Sequence, residues 1–158
     1  PTRRSSDLEN TIDLSVFDLV SFGRYPYQSG WKSVTTEDQE YIQWALELTG
    51  LTELARESVA ILSGGQRQRV WIAMALVQDT DILILDEATS GLDTLLEHAI
   101  LDYLLTLEDK TVLFIAHHLS IAKNCEQILV LHEGKLVEQG THDELRYNQG
   151  IYQRLWDI

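Results

Sequence analysis

Two short strings of residues have the composition and spacing of a phosphate-handling site. The first comprises Ser63, Gly64, Gly65 and Gln66, a glycine-rich turn at the start of a predicted helix. Backbone N–H groups and the helix dipole attract anions at such a position, and glycines let phosphate oxygens approach the main chain closely. Taken alone, the string is better explained as an ordinary helix N-cap, so its meaning depends on the residues around it.

The second string is an apolar run, Ile82–Leu85, followed by Asp86 and Glu87. A continuous apolar run predicts a strand that is buried on both faces of a parallel sheet. Ligand crevices form at the carboxyl ends of such strands, where one carboxylate can hold Mg²⁺ through water and the next can orient an attacking water. The alternative is a solvated acidic strand end, which leaves the apolar run and the nearby S-G-G-Q unexplained.

Together the two strings resemble the signature motif and the Walker B strand of ABC-type ATPases, the motor domains of ATP-binding-cassette transporters. The resemblance implies that Ser63–Gln66 bind ATP, that Asp86 binds Mg²⁺ and that Glu87 orients the attacking water. It further implies that Asp93, in a string similar to the family's D-loop, crosses a dimer interface. His117 resembles the switch histidine that contacts the γ-phosphate.

The phosphate loop of this family, G-x-x-x-x-G-K-[ST], does not occur in the 158 residues. In the family, two ATPase domains pair head to tail, and each ATP lies between one domain's phosphate loop and the other domain's signature motif. The expected partners are therefore a second ABC ATPase domain and transmembrane transporter subunits. We expect the isolated chain to be inactive, since phosphoryl transfer depends on positioning the phosphates. Two alternatives stay open: a non-catalytic module that lends Ser63–Gln66 to a partner, and a non-transport ABC ATPase.

Composition narrows the classes of partner and compartment. The formal net charge is −13, which argues against nucleic-acid binding because such proteins present basic faces. The single cysteine, Cys125, cannot form an internal disulfide and suits a reducing compartment. No apolar run is long enough to span a membrane. The resemblance predicts a location at the cytoplasmic face of a bacterial inner membrane, either peripheral or as part of a membrane protein.

The resemblance also predicts a division of the chain. Residues 1–17 would form an N-terminal tail, 18–80 a helical signature subdomain, and 81–158 the C-terminal part of a RecA-like ATPase core. Residues 1–8 are either a natural basic N-terminal tail or, because all eight match it, the translation of a common sequencing adapter. We favour the adapter and expect the natural protein to be longer. Residues 18–83 resemble ferric-siderophore importer ATPases, whereas the sequence from Glu87 onward resembles ABC exporter domains. Our hypothesis is that the chain is a hybrid, natural or computational, of the two kinds, joined near residues 82–93.

The hydrophobic pattern predicts the elements that position these residues. Helices are expected over 36–49, near 51–56, and over 64–78, 92–107, 143–146 and 151–156, and strands over 81–86, 111–116, 127–132 and 135–138. Thr35 or Thr36 is expected to cap the first of these helices, and Glu133 with Gly134 to form a hairpin turn between the last two strands. The helix over 64–78 has a broad apolar face that includes Trp71, and the core candidates of the helix over 92–107 are Leu95, Ile100, Leu101 and Leu104. Tyr25, Tyr27 and Trp31 would lie near the surface that docks a membrane subunit, or would be ordinary core aromatics.

The fold class predicted is therefore α/β: an incomplete P-loop NTPase sheet, RecA-like and ABC-type, plus a helical signature subdomain. In the family fold the phosphate-loop strand lies between the strands over 111–116 and 127–132. Without it, either a gap of about 10 Å remains or the two strands pair.

Overall fold

The computed structural model describes residues 13–27, 34–87, 92–115, 119 and 121–157. The helices of this part are α1 (Val16–Ser21), α2 (Thr36–Leu48), α3 (Gly64–Val77), α4 (Thr94–Leu105), α5 (His142–Arg146) and α6 (Ile151–Trp156), and the strands are β1 (Ile82–Asp86), β2 (Thr111–Ile115), β3 (Ile128–His132) and β4 (Lys135–Gly140). Short 3₁₀ turns lie at Phe22–Tyr27, Thr52–Leu54, Val59–Ile61 and Ala122–Asn124. The chain divides into two compact units, residues 1–80 with 88–97 and residues 81–87 with 98–158. Residues 1–8 and Trp31 lie outside the described part.

Local capping signals set the starts of the helices. Thr35 caps α2, its side chain accepting from the Asp38 N–H while the Asp38 carboxylate accepts from the Thr35 N–H. Helix α1 was not predicted, yet the same device, Ser15 with Asp18, begins it. A Ser followed three residues later by an acidic residue is a form of the capping box, so the signal for α1 was present in the sequence.

The first unit buries its apolar side chains where α1 and α2 pack against α3. The fully buried members of this core are Val16, Val20, Ile42, Ala45, Leu46, Leu51, Val70, Ala73 and Val77. Trp71 is 53% exposed, so the broad apolar face predicted for α3 is buried only in part. Helix α3 is apolar over most of its circumference, and α1 and α2 cover only part of that apolar surface.

The second unit contains the parallel pair that the sequence predicted, β1 beside β2. Its register places Ile84 opposite Leu113 and Asp86 opposite Ile115. The prediction that both faces are buried was wrong for the described residues: Ile82 and Ile84 are 62% and 60% exposed. Side chains alternate between the faces of a strand, so these residues, with Leu113 and Ile115, leave one apolar face of the pair uncovered.

The hairpin of β3 and β4 forms a separate two-stranded sheet. Glu133 and Gly134 connect the strands with positive φ angles of 49° and 73°, as a tight two-residue hairpin turn requires. Within the described residues, β2 pairs only with β1 and β3 only with β4. The alternative in which 111–116 pairs with 127–132 is therefore not adopted.

The C-terminal helices of the second unit are attached to this hairpin through β4. The Glu138 carboxylate accepts hydrogen bonds from the backbone N–H groups of Ile151 and Tyr152 and so caps the start of α6. The buried Tyr152 hydroxyl lies 2.8 Å from His142 Nδ1. Burial raises the pKa of this tyrosine.

Helix α4 buries three of the four side chains expected in the core. Ile100, Leu101 and Leu104 are buried as predicted, but Leu95 is 83% exposed. At 100° per residue, Leu95 lies 140° around the helix from Ile100 and opposite Leu104. The error was one of helical phase.

Candidate functional site

The start of α3 presents the S-G-G-Q string at the surface of the first unit. Ser63 is the N-cap: its hydroxyl oxygen accepts from the Gln66 N–H at 3.2 Å, and the Gln66 side-chain oxygen accepts from the Ser63 N–H at 2.8 Å. This capping box explains both polar residues by local structure. It explains neither of the two glycines between them.

Gly64 has no packing reason to be glycine. A Cβ built on it would meet no atom of the described chain within 4 Å, and its φ angle is not in the left-handed region. Gly64 and Gly65 occupy the first two helical positions, whose N–H groups have no acceptor within the helix. The site therefore offers two backbone donors at the positive end of a 14-residue helix, and the space beside Gly64 is open to an anion.

The nearby arginines have different roles. The Arg69 guanidinium donates to the Gly50 carbonyl at 3.1 Å and thereby ties α3 to the end of α2. Arg67 is exposed. Arg69 thus holds the α3 N-terminus in place, although it comes only three residues after Gln66.

The two carboxylates lie together at the carboxyl end of β1. Asp86 is its last residue and Glu87 follows it, both exposed. Glu87 has a φ of 47°, a left-handed conformation that costs a non-glycine residue on the order of 1–3 kcal/mol. Its backbone N–H donates to the Ile115 carbonyl at 2.9 Å, which fixes this turn against β2. Strained backbone of this kind is common at functional sites.

The remaining predicted residues follow these strings. Asp93 begins α4: its side chain accepts from the Leu96 N–H at 3.0 Å and its carbonyl accepts from the Glu97 N–H. His117 lies outside the described residues, as do the residues 88–91 that precede this part of the D-loop-like string. In the described part of the chain, no group of three or more His, Cys, Asp or Glu residues could hold a metal ion.

Sequence reasoning missed a buried ionic cluster in the first unit. Arg24 is 6% and Asp38 4% exposed, and the Arg24 Nε donates to Asp38 Oδ1 at 2.8 Å. The guanidinium also donates to the Val77 carbonyl at 2.9 Å and lies 4.1 Å and 4.6 Å from the ring centroids of Tyr27 and Tyr41. The bond from Arg24, with those from Thr35, lowers the pKa of Asp38.

The exposure of two tyrosines, Tyr25 and Tyr27, excludes one of the two alternatives left open for them. Tyr27 stacks on Arg24 and its hydroxyl donates to the Gln78 carbonyl at 2.5 Å, yet half of its surface is exposed. Tyr25 is 66% exposed. Neither residue is an ordinary core aromatic.

The model of the family described as ABC transporter matches residues 4–90, more than half of the chain. The chain belongs to the ABC transporter family. The ABC fold accounts for the parallel pair β1–β2 and for the mixed α/β character, as the sequence predicted. A solved bacterial Atm1-family ABC exporter with ATP bound superposes with a TM-score of 0.78 at 30% identity, covering 92% of this chain and 26% of that one.

Relatives of two kinds match this ABC family chain. The iron(3+)-hydroxamate import ATP-binding protein of Bacillus subtilis (strain 168) is 45% identical over 132 residues, which is 81% of this chain and 49% of the relative. The lactococcin-G-processing and transport ATP-binding protein of Lactococcus lactis subsp. lactis is 63% identical over 94 residues, 60% of this chain and 13% of the relative. The chain thus spans about half the length of the importer protein and 13% of the length of the lactococcin-G protein. The predicted resemblance to both siderophore importers and exporters is confirmed. No helix in the described part is both long and apolar enough to cross a membrane.

Proposed function

We propose that this chain is part of the ATP-binding portion of a bacterial ABC transporter, which couples ATP binding and hydrolysis to transport across a membrane. The observation that carries the proposal is the start of α3. There a capped helix presents Gly64 to open space, and no packing within the described chain requires a glycine at that position. Family membership supplies the ligand that this anion site would contact, the phosphates of ATP.

In this proposal α3 acts on a nucleotide held by a second ATPase domain. The Gly64 and Gly65 N–H groups would donate to phosphate oxygens, with the helix dipole adding to the attraction. The Ser63 hydroxyl oxygen accepts from the Gln66 N–H, so its own proton is available for a phosphate oxygen. The capping box therefore positions the donors before the nucleotide arrives, which lowers the ordering cost of binding.

The carboxyl end of β1 would act on a nucleotide bound by the chain's own half of the site. Asp86 and Glu87 supply hard oxygen donors, and Mg²⁺ in proteins typically takes one or two carboxylates together with waters and substrate phosphates. The residues present fit that ion. Asp86 would hold Mg²⁺, which neutralises phosphate charge, while Glu87 would orient the attacking water. By family resemblance, Asp93 would contact the partner domain and His117 the γ-phosphate.

The proposal extends to organisation and location. Residues 18–80 would be the helical signature subdomain and 81–158 part of the RecA-like core. The partners would be a second ABC ATPase domain and transmembrane subunits or domains, at the cytoplasmic face of the inner membrane. Acidic composition favours this over a nucleic-acid-linked ABC ATPase.

Nucleotide-dependent association tests the proposal. The chain is mixed with the Bacillus subtilis importer ATPase, and sedimentation is measured with Mg-ATP, with a non-hydrolysable analogue, and without nucleotide. We expect association only with nucleotide and its loss in Gly64→Ala, because the added methyl group obstructs the phosphate without straining the helix. The control is Gly134→Ala, which strains the β3–β4 turn of the second unit and should leave association intact. Association that is equal without nucleotide contradicts the proposal.

The isolated chain should hydrolyse no ATP at steady state, because the 158 residues include no G-x-x-x-x-G-K-[ST] sequence to cradle the phosphates. Hydrolysis that Glu87→Gln abolishes, and that the equally exposed Glu108→Gln leaves unchanged, would contradict this prediction.

The absence of that sequence favours a second candidate, a non-catalytic module that lends Ser63–Gln66 to a partner's ATP. Under this candidate, Glu87→Gln in this chain leaves hydrolysis by the mixed complex unchanged, whereas Gly64→Ala lowers it.

A further inference from the structure

Helices α2 and α3 of the first unit are connected by an arginine at each end. At one end, Arg24 donates to Asp38 in the first turn of α2 and to the carbonyl of Val77, the last residue of α3. At the other end, Arg69 in the second turn of α3 donates to the carbonyl of Gly50, just after α2. The start of each helix thus lies beside the end of the other, so the two helices run antiparallel.

The turn to which Arg69 is attached belongs to the core of the unit. Helix α2 ends in a Schellman motif, in which the Leu51 N–H donates to the Leu46 carbonyl at 2.7 Å. Gly50, with a φ of 63°, occupies the left-handed position of this motif, and both leucines are fully buried. Arg69 Nη1 donates to the Gly50 carbonyl at 3.1 Å and to the Thr49 carbonyl at 3.5 Å. The guanidinium therefore connects α3 to a turn that its own hydrogen bonds and buried side chains define.

Arg69 is the attachment nearer to the two glycine amides at the start of α3. At 1.5 Å per residue, its Cα lies roughly 6 Å along the helix axis from that of Gly65, whereas Val77 lies roughly 18 Å away. Residues four apart share a face of a helix, so Arg69 follows Gly65 on the same face one turn later. Loss of the bonds at Arg69 should therefore displace the first turn of α3 more than loss of a bond at the far end of the helix.

We infer, on the basis of the function proposed above, that Arg69 is a positioning residue for the nucleotide. It acts through Gly64 and Gly65: by fixing the first turn of α3 against the end of α2, it sets the direction of their N–H groups. Donors that are ordered before the ligand arrives bind it more tightly, because less freedom is lost on binding. Removal of the attachment should therefore weaken nucleotide-dependent association more than the accompanying loss of stability explains.

The test compares three variants in Mg-ATP-dependent association with the Bacillus subtilis importer ATPase, measured by sedimentation. Arg69→Gln should weaken association about tenfold, since misplacing a binding group by about 1 Å can cost up to about a hundredfold. Arg69→Lys keeps the charge but not the planar fork of donors, so we expect it to restore only part of the affinity. The matched control is Tyr27→Phe, which removes the bond to the Gln78 carbonyl at the other end of α3 and should leave association unchanged.

A second measurement reports the positioning itself, without nucleotide. Residual dipolar couplings of the Gly64 and Gly65 amides give the orientation of the start of α3 relative to α2, and we expect both Arg69 variants to change them. Unchanged couplings in Arg69→Gln, full affinity in Arg69→Lys, or an equal loss of affinity in Tyr27→Phe would each overturn the inference. Absence of nucleotide-dependent association in the unsubstituted chain overturns the proposed function. Association that Gly64→Ala abolishes and Arg69→Gln leaves intact overturns the role of Arg69 alone.

Discussion

The buried pair of Arg24 and Asp38 should control the stability of the first unit, and Arg24→Met tests this most directly. The substitution removes the bond to Asp38 at 2.8 Å and the bond to the Val77 carbonyl at 2.9 Å. Breaking a buried ion pair by removing one partner costs about 3–5 kcal/mol. The Asp38 carboxylate keeps two bonds from Thr35, so we expect the lower end, about 3 kcal/mol.

The assay is native-state hydrogen exchange of the α2 amides, which reports the opening free energy of this unit separately from the second one. A double-mutant cycle completes it. Asp38→Asn should also destabilise, and the double variant should be more stable than the sum of the single changes by about 1–3 kcal/mol. A cost below about 1 kcal/mol for Arg24→Met, or strict additivity in the cycle, would refute the argument that the pair is energetically coupled.

Three further changes have expected outcomes. The hydrogen bond from Arg24 lowers the pKa of Asp38 in the folded state. The stability that the ionised Asp38 contributes should therefore be full above its unfolded-state pKa and lost as the pH falls through its folded-state pKa. Urea titrations below pH 5 should show this loss in the unsubstituted chain and not in Asp38→Asn. Gly23→Ala should destabilise by about 1–3 kcal/mol in urea titration, since a Cβ there would overlap Val77 and the α3 backbone. Glu138→Gln should speed amide exchange at Ile151 by weakening a charged helix cap worth about 1 kcal/mol.

Several helix starts and one turn of the fold could be predicted from short local sequence signals. The capping residues Thr35 and Ser63 and the hairpin turn at Glu133 are set by neighbours within three residues, and each lies where the pattern predicted it. The prediction that Leu95 is buried was wrong because an apolar side chain in the first turn of a helix does not determine which face of the helix is buried. The prediction that Ile82 and Ile84 are buried was wrong because burial depends on which elements cover a strand. The residues of the strand itself do not specify those elements.

Long-range contacts account for what sequence reasoning missed. Arg24 and Asp38 are fourteen residues apart, and nothing in either neighbourhood indicates that they meet. For the candidate site, the string at Ser63–Gln66 predicted a helix start correctly. The open space at Gly64, which separates an anion site from a plain cap, is visible only in three dimensions.

The central claim is that the Gly64 and Gly65 amides contact a nucleotide held by a second ATPase domain. The most direct measurement is the amide NMR shifts and exchange rates of these two glycines, with the Bacillus subtilis importer ATPase present, before and after Mg-ATP is added. We predict downfield shifts and slower exchange at both amides only when partner and nucleotide are present together, as expected for new bonds to phosphate oxygens. Association of the two proteins that leaves both amides unchanged would contradict the account.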